Sequence, residues 1–291
     1  MTALPSPELP RPAGELRSQL ASRLRQEDRL VVAFSGGADS ALLAAMAHEV
    51  LGAGALAVTA VSPSLPAAER AAARDFARRR GLPHVEVCTD ELDRPEYRRN
   101  GADRCFHCKS ALFDALGPLA AAMGARVALG TNTDDLADHR PGHRAAQARG
   151  AVFPLVDAGL SKAAVRAVSR ELGLVTAEKP AAACLSSRVA YADPVTPDLL
   201  GRIERAENAL HAAGFADCRV RAHAAGTVAR VEVPPADLGR ALAGREHLAE
   251  VLREAGFLFA ALDLDGLHSG SMNVLLHGRP ARRAQRRGAS R

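Results

Sequence analysis

The stretch that decides the fold is Val31-Val32-Ala33-Phe34-Ser35-Gly36-Gly37-Ala38-Asp39-Ser40. An apolar run at 30–34 leads into a Ser-Gly-Gly turn and then into an Ala- and Leu-rich segment at 41–50. This pattern predicts a buried strand, a tight turn and a helix. Two glycines let the main chain approach an anion, and a helix start offers unpaired N–H groups and the positive end of its dipole. The turn therefore predicts a phosphate-binding loop.

The loop is not of the Walker type, because the pattern G-x-x-x-x-G-K-[ST] is absent and no lysine follows the glycines. The sequence SGGADS at 35–40 instead resembles the pyrophosphate loop of the N-type ATP pyrophosphatases. Enzymes of that family cleave ATP between the α and β phosphates and adenylylate their substrate. The resemblance implies ATP and Mg²⁺ as ligands, with the ATP-binding residues Ser35, Gly36, Gly37, Asp39 and Ser40. An ordinary strand-to-helix turn is the alternative interpretation.

Strands and helices alternate up to about residue 177, which predicts an α/β fold with a doubly wound parallel sheet and a ligand at the carboxyl ends of its strands. The further predicted strands are 55–61, 85–88 and 126–130, and the predicted helices are 66–81, 105–123 and 161–172. Residues 131–135, TNTDD, follow the fourth strand and either bind nucleotide or metal or only cap a helix. Lys162 lies in a helix first turn, where a cation opposes the dipole, so we expect it to face a phosphate.

A composition change with three prolines at 176–197 predicts a domain junction. Beyond it we expect a helix from 197 to about 213 and strands at 218–222, 227–233 and 257–264, which form a second, smaller α+β domain. The predicted organisation is a flexible leader at 1–14, an ATP pyrophosphatase domain at 15–178, a substrate or oligomerisation domain at 179–277 and a disordered arginine-rich tail at 278–291.

The formal net charge of +5 is concentrated at one end of the chain. The segment 278–291 carries six arginines and no acidic residue, so the remaining residues sum to −1. A nearly neutral body disfavours a nucleic-acid partner. The chain has no apolar run of about 18 residues and no signal-peptide core, which predicts a cytoplasmic protein without a membrane partner. Five cysteines in such a chain indicate metal or catalytic chemistry rather than disulfides.

Four motifs together resemble the LarE sulfur transferases: KPAAACLSSR at 179–188, RVRAH at 219–223, RPG at 140–142 and LDLDGLHSGSMN at 262–273. The resemblance covers nearly the whole chain apart from the leader and the tail. It implies an adenine nucleotide alpha hydrolase-like fold and a homo-oligomer. It also implies conversion of the carboxylates of pyridinium-3,5-biscarboxylic acid mononucleotide to thiocarboxylates, a step of nickel-pincer cofactor synthesis.

The resemblance places Cys184 at the sulfur-donating position. A carboxylate is a poor electrophile because oxide would have to leave, whereas adenylylation replaces that leaving group by AMP. A sulfur nucleophile then attacks the acyl-adenylate. The alternative role for a cysteine in an Ala-rich segment is that of a small buried apolar residue.

The source of the sulfur depends on a C-x-x-C motif, Cys105 and Cys108, in addition to Cys184. One branch of the resembled family sacrifices the sulfur of a single cysteine and leaves dehydroalanine. Another branch holds a [4Fe-4S] cluster on three cysteines, and this chain has cysteines at the three corresponding positions. Because three thiolates bind only three of the four irons, the fourth iron is open to a sulfide. The competing interpretation is a C-x-x-C at a helix start that only packs, or that binds zinc with His139 or His143. A sulfide or persulfide donor is the partner that the resemblance implies.

Substrate recognition is predicted on the segment 219–223, where side chains alternate and one face carries Arg219, Arg221 and His223. Two guanidinium groups on one face form a clamp for phosphate or carboxylate, and the implied substrate carries both. Ser187 and Arg188, close to Cys184, are predicted to orient the activated carboxylate. A solvated edge strand is the alternative for this face, and Glu232 is a candidate ion-pair partner.

Two other function classes are compatible with parts of this pattern. A tRNA thiolase shares the loop and the three cysteines, but it would display a basic surface for tRNA. A non-catalytic nucleotide-binding protein shares the fold, but it would be expected to lack Asp39 or Cys184, and both are present.

Overall fold

The computed structural model describes residues 11–136, 146–180, 183–268 and 270–277. Within these ranges the chain divides into two compact units. The first unit runs to Tyr97 and resumes from Asp103 to Cys184, and the second comprises Arg98–Ala102 and the residues from Leu185 onward. The segment 179–184 thus lies in the first unit, and a five-residue insertion from the first half of the chain lies in the second.

Some predictions concern residues outside the described ranges. These are the first ten residues of the leader, the RPG motif at 140–142 with its neighbours His139 and His143, two alanines of the KPAAAC motif at 181–182, Ser269 of the LDLDGLHSGSMN motif, and the arginine-rich tail at 278–291. The last two leader positions belong to a helix, α1, which spans Ala13–Leu24. Its leucines at 16, 20 and 24 recur every fourth residue and are buried.

The first unit is built on a parallel sheet with strand order β3-β2-β1-β4. The strands are β1 (Leu30–Ala33), β2 (Ala55–Val61), β3 (His84–Cys88) and β4 (Arg126–Leu129). Each of these strands agrees with a predicted one to within one residue at either end. The doubly wound parallel sheet that the sequence predicts is confirmed.

Helices cover both faces of this sheet because its central strand is apolar on both sides. In β1, Leu30 and Val32 join one buried cluster while Val31 joins another. The helices of this unit after α1 are α2 (Ala38–Leu51), α3 (Ala67–Arg80), α4 (Pro95–Arg98, which ends in the second unit), α5 (Arg104–Met123), α6 (Pro154–Asp157) and α7 (Lys162–Glu171). None of the helices within the described ranges combines the length and the apolarity needed to cross a membrane.

The second unit contains a three-stranded sheet with order β5-β6-β7. Strands β5 (Arg219–His223) and β6 (Val228–Glu232) are antiparallel, and β7 (Phe259–Leu262) is parallel to β6. The helices are α8 (Pro197–Ala212), α9 (Leu238–Ala243), α10 (Arg245–Glu254) and the short α11 (Val274–His277). Thr196 caps α8 by accepting a hydrogen bond from the Leu199 N–H, as the Thr-Pro pair predicts.

Candidate active site

The loop after β1 has the geometry of an anion site. Gly36 adopts φ +71°, a conformation that side chains other than glycine rarely take, and Gly37 caps the start of α2. Helix α2 begins at Ala38, three residues earlier than the sequence predicts, so its dipole points into the Ser-Gly-Gly turn. The N–H groups of Ala38 and Asp39 lie in its first turn, which has no intrahelical acceptors for them.

Two serines of the loop hold it in shape. The Ser40 hydroxyl donates to the Gly37 carbonyl at 3.2 Å, accepts from the Ser35 N–H at 3.2 Å and lies 3.1 Å from the Ser35 hydroxyl. Ser40 is also buried. Through these contacts Ser40 stabilises the conformation of the loop, whereas the sequence predicts it as an ATP-binding residue.

Two close approaches explain why the loop and its neighbours need small residues. A Cβ on Gly130, just after β4, would lie 2.8 Å from the Ser40 nitrogen. A Cβ on Gly36 would lie 3.1 Å from the Cβ of Ala73 on α3. The sequence analysis assigned no role to Gly130, because a glycine at a strand end gives no sign of what packs against it.

Asp39 is held by two partners from the carboxyl edge of the sheet and from α7. Its Oδ1 accepts from Asn132 Nδ2 at 3.1 Å, and its Oδ2 accepts from Lys162 Nζ at 2.6 Å. Asn132 is buried and also accepts, through Oδ1, from the Asp134 N–H at 2.9 Å. Asp134 in turn accepts from the Lys162 N–H at 3.0 Å, so the predicted TNTDD segment and Lys162 do reach the loop.

A second lysine reaches the loop from the KPAAAC motif. Lys179 Nζ donates to the Gly36 carbonyl at 3.0 Å and to Glu69 Oε2 on α3 at 2.6 Å. The loop lacks a lysine in sequence but has Lys162 and Lys179 beside it in space. Glu69 is a residue that the sequence analysis missed, since it lies in an ordinary helix first turn 110 positions before its partner.

The three cysteines singled out by the sequence belong to the first unit. Cys105 and Cys184 are exposed, Cys108 is half-buried, and the chain's five cysteines form no disulfide. Burial raises the pKa of the Cys108 thiol to about 12, and the charges of Cys184 and, more weakly, Cys105 act in the same direction. These charge effects place the three thiols in one neighbourhood.

The predicted [4Fe-4S] site on Cys105, Cys108 and Cys184 finds no support in this geometry. Across the described ranges, no three His, Cys, Asp or Glu side chains form a group that would hold a metal ion. Thiolates are suitable ligands for iron, but burial disfavours the thiolate form of Cys108 by raising its pKa, and the described residues form no group of three ligands around it. We therefore derive no chemical step through a cluster.

In the second unit, Arg188 is a buried residue with a fixed partner. Its Nε and Nη2 donate to the two carboxylate oxygens of Glu207 on α8, at 3.0 and 3.3 Å. Glu207 Oε1 also accepts from the Val220 N–H of β5 at 3.0 Å, which ties helix and strand together. Arg188 Nη1 lies 3.1 Å from the Ser187 hydroxyl. The two residues predicted to orient the carboxylate are therefore adjacent and held in place.

The predicted face of β5 is occupied by a charged network on β6. Arg221 Nε and Nη2 both donate to Glu232 Oε2, at 3.0 and 2.7 Å, and the Glu232 side chain is fully buried. Arg230 lies 3.1 Å from Glu232 Oε1 and donates through Nε to His223 Nε2 at 3.1 Å. Burial lowers the pKa of His223, and Arg230 lowers it further, so the imidazole is a neutral acceptor. Arg230 also pairs with Asp263 beyond β7.

Arg219 differs from its neighbours on this face because no carboxylate of the described residues pairs with it. Its Nη1 donates to the Cys218 carbonyl at 2.6 Å. Burial lowers the pKa of Arg219, and the positive charge of Arg188 has the same effect. A guanidinium that is half-buried beside another cation, without a paired acid, is suited to an external anion.

The chain is similar to several known proteins. Residues 13–115 match the family model described as Asparagine synthase. The chain is 34% identical to the pyridinium-3,5-bisthiocarboxylic acid mononucleotide synthase of Lactiplantibacillus plantarum over 262 residues, 89% of this chain and 94% of that protein. The chain belongs to the LarE family of ATP-dependent sulfurtransferases. An uncharacterized Synechocystis protein is 42% identical over 86% of this chain and 93% of its own length.

Membership of the LarE family agrees with the loop geometry. An uncharacterized protein of Methanocaldococcus jannaschii extends the similarity at 24% identity over 86% of this chain and 95% of that protein. The similarity to all three relatives spans both units, so it is not confined to the nucleotide loop.

Proposed function

We propose that this LarE-family chain converts a carboxylate of pyridinium-3,5-biscarboxylic acid mononucleotide to a thiocarboxylate in nickel-pincer cofactor synthesis. The observation that carries the proposal is the pyrophosphate loop with Lys162 and Lys179 beside it. The name of the Lactiplantibacillus plantarum relative supports the substrate, since that protein makes the bisthiocarboxylic acid mononucleotide.

In the first step ATP binds with its phosphates at the N-terminus of α2. The N–H groups of the loop and the two lysine ammonium groups surround the β and γ phosphates, and a substrate carboxylate oxygen attacks the α phosphorus. Lysine ammonium groups stabilise the negative charge that develops on the departing pyrophosphate. The products of this step are the acyl-adenylate and pyrophosphate.

Mg²⁺ would enter with ATP. This ion keeps several waters and takes one or two carboxylates besides the phosphates, so it needs no group of three acidic side chains. Asp39 and Asp134 meet that requirement, because both lie against Lys162 at the carboxyl edge of the sheet. When bound, the ion would neutralise phosphate charge.

In the second unit the substrate's phosphate or carboxylate binds Arg219. Glu232 neutralises Arg221, and Glu207 neutralises Arg188, so these two arginines shape the site while their charges are largely balanced within the protein. We therefore place the leading contact at Arg219 rather than sharing it between Arg219 and Arg221. Ser187 and Arg188 orient the carboxylate.

In the second step the sulfur at Cys184 attacks the acyl carbon and AMP leaves. If the sulfur is that of Cys184 itself, the attack forms a thioester. A base then removes the Cα proton of Cys184, the Cβ–Sγ bond breaks, and the thiocarboxylate leaves with the sulfur while dehydroalanine remains. If free sulfide supplies the sulfur, it attacks the acyl carbon directly, and AMP leaves without a change at Cys184. If a persulfide on Cys184 supplies it, the attack forms an acyl disulfide, and an external thiol must then reduce the S–S bond to release the thiocarboxylate and restore the Cys184 thiol. Intact-protein mass spectrometry after one turnover distinguishes these routes, and iron and acid-labile sulfide assays on anaerobically purified protein test for the cluster.

Product analysis with labelled ATP tests the proposal. AMP and pyrophosphate are expected, together with ATP–pyrophosphate exchange that requires the substrate. Accumulation of ADP and orthophosphate would exclude adenylylation. Asp39→Ala is expected to abolish exchange, and light scattering of the same preparation tests the predicted homo-oligomer.

A further inference from the structure

Arg166 of α7 connects that helix to the segment that carries Lys179. Its Nη1 donates to the Ala177 carbonyl at 2.6 Å, and its Nη2 donates to the Lys179 carbonyl at 3.1 Å. One guanidinium thus bonds two main-chain oxygens, because the planar fork of arginine directs its N–H groups to two acceptors at once. These bonds fix the main chain of Lys179 to α7.

Other contacts join this segment to α7 less firmly. The N–H groups of Ala177 and Lys179 donate to carbonyls three residues earlier, so these bonds hold the segment only to itself. Glu178 pairs with Arg170 of α7 at 2.6 Å, but both side chains are exposed, and an exposed ion pair contributes little. Arg166 is therefore the main anchor of residues 177–179 on α7.

The other end of Lys179 is fixed at the pyrophosphate loop. Its ammonium donates to the Gly36 carbonyl at 3.0 Å and to Glu69 Oε2 of α3 at 2.6 Å. An ammonium carries three N–H donors, and the described residues accept two of them. The third N–H can bind a phosphate oxygen while the first two keep the ammonium in place.

Helix α7 thereby positions both lysines beside the loop. Its first residue, Lys162, reaches Asp39 directly at 2.6 Å, and Arg166 lies one turn further along the helix. A mobile lysine side chain has a large rotamer entropy, and a group that is ordered in advance does not lose that entropy when the ligand binds. Arg166 thus acts on the loop through Lys179, whereas Lys162 acts through its own side chain.

We propose that Arg166 is a positioning residue for nucleotide binding and that it acts only through Lys179. The inference rests on the proposed function, because it takes the ligand of the loop to be ATP. Without the guanidinium, Lys179 is still present, but its main chain is no longer fixed to α7. The ammonium then spends less time at the loop, and the phosphates bind more weakly.

The experiment measures the dissociation constant of α,β-methylene-ATP with Mg²⁺ by calorimetric titration of the full chain. This analogue cannot be cleaved at the reacting bond. Lys179→Met is expected to raise the constant about tenfold, the lower end for loss of one hydrogen bond to a charged group. Arg166→Met is expected to raise it at least about threefold, within the range for members of one hydrogen-bond network. Arg170→Met, the same change one turn later on α7, removes an exposed ion pair and should leave the constant unchanged.

Double variants separate positioning from a structural role. In the Lys179→Met background, Arg166→Met is expected to weaken binding no further, because the group that it positions is gone. In the Lys162→Met background, Arg166→Met is expected to keep its full effect. Arg166→Lys retains the positive charge without the fork to two carbonyls, so it should bind the analogue more weakly than the wild type does. If Arg166→Met does not fold, Arg166→Lys takes its place in the same double variants.

Three results would overturn the inference. An additive loss in the Lys179→Met background would mean that Arg166 binds phosphate itself or supports the fold as a whole. Loss of the Arg166 effect in the Lys162→Met background would assign that effect to α7 rather than to Lys179. Wild-type affinity in Arg166→Lys would mean that the charge is sufficient and the fork is not needed.

The outcomes also separate this inference from the proposed function. If the wild type catalyses ATP–pyrophosphate exchange but Arg166→Met binds the analogue as tightly as the wild type does, the inference is wrong and the proposed function stands. Absence of exchange in the wild type would remove the proposed function and the inference together.

Discussion

Arg219 and Arg221 point to the same face of β5, yet their replacement by alanine is expected to have opposite principal effects. Arg221 holds Glu232, whose side chain is fully buried. Arg219 has no paired carboxylate among the described residues, and it donates to a carbonyl. Arg221 is therefore expected to serve mainly the stability of the second unit, and Arg219 mainly substrate binding.

The magnitudes follow from these partners. Removing one member of a buried ion pair costs about 3–5 kcal/mol. For Arg221→Ala we expect about 3 kcal/mol, the lower end, because Arg230 stays 3.1 Å from Glu232 Oε1. Arg219→Ala loses one hydrogen bond within the protein, about 1 kcal/mol of stability. In the complex it loses bonds to a charged group worth about 1.5–3 kcal/mol, which corresponds to a dissociation constant raised about 10- to 150-fold.

The assay pairs calorimetric titration of the mononucleotide substrate with denaturant unfolding of each variant. Arg253→Ala removes one charge from an exposed position of the same unit and serves as the control. Arg221→Met with Glu232→Gln in one chain removes both charges of the buried pair, and we expect it to recover most of the stability lost by Arg221→Ala. ATP affinity is expected to stay unchanged in all of them, because the phosphate loop belongs to the first unit and these residues belong to the second.

Two results would refute this reasoning. Unchanged substrate affinity in Arg219→Ala would mean that the unpaired guanidinium is only a solvated side chain. Wild-type stability in Arg221→Ala would mean that Arg230 alone satisfies Glu232, and the distinction between the two arginines would then have no energetic basis.

Three further predictions concern the first unit. Cys184→Ser is expected to abolish thiocarboxylate formation but not ATP–pyrophosphate exchange, measured against Cys88→Ser, and sulfur transfer by the Cys184 variant would contradict the assignment. Gly130→Ala is expected to destabilise the protein by about 1–3 kcal/mol and to raise the KM for ATP, because the new Cβ would lie 2.8 Å from the Ser40 nitrogen; an unchanged KM would disprove it. Two arginines of α3 lower the pKa of Glu86 on β3 from 4.5 to about 2, so its stabilising contribution is present above pH 4.5 and lost as pH falls toward 2. Melting temperatures should therefore show a smaller acid loss in Glu86→Gln than in the wild type, and equal losses would count against the ion pair.

The fold was predictable because its signals are local and periodic. Apolar strands, the Gly-Gly turn and Ala-rich helices alternate along the chain, and each predicted strand of the first sheet appears in the structure. Helix α1 shows the limit of this approach. Its leucines recur every fourth residue, as in an amphipathic helix. Because the residues before them are rich in proline, the sequence analysis instead predicts a flexible leader that includes the first two residues of this helix.

The charges of the site were harder to predict because each depends on a partner distant in sequence. Period 2 correctly places Arg219 and Arg221 on one face, but it gives them equal weight. Their difference comes from register: Arg219 is opposite Glu232 across the β5–β6 pair, yet the Glu232 carboxylate bonds to Arg221, two residues further along β5. A diagonal contact of this kind lies within reach of a long side chain, and no property of the β5 sequence reveals it.

The same reasoning explains why a loop without its own lysine is still suited to a polyanion. In a Walker loop one local motif supplies both the N–H groups and the ammonium, so the sequence alone reveals the site. Here the N–H groups come from α2, one ammonium from the start of α7 and the other from a segment that leads to Cys184. Because of this separation, the sequence motifs did not reveal that Lys179 reaches the loop. It also places a cation beside the loop, Lys179, in the same short segment of the chain as Cys184, an arrangement that a single local loop lacks.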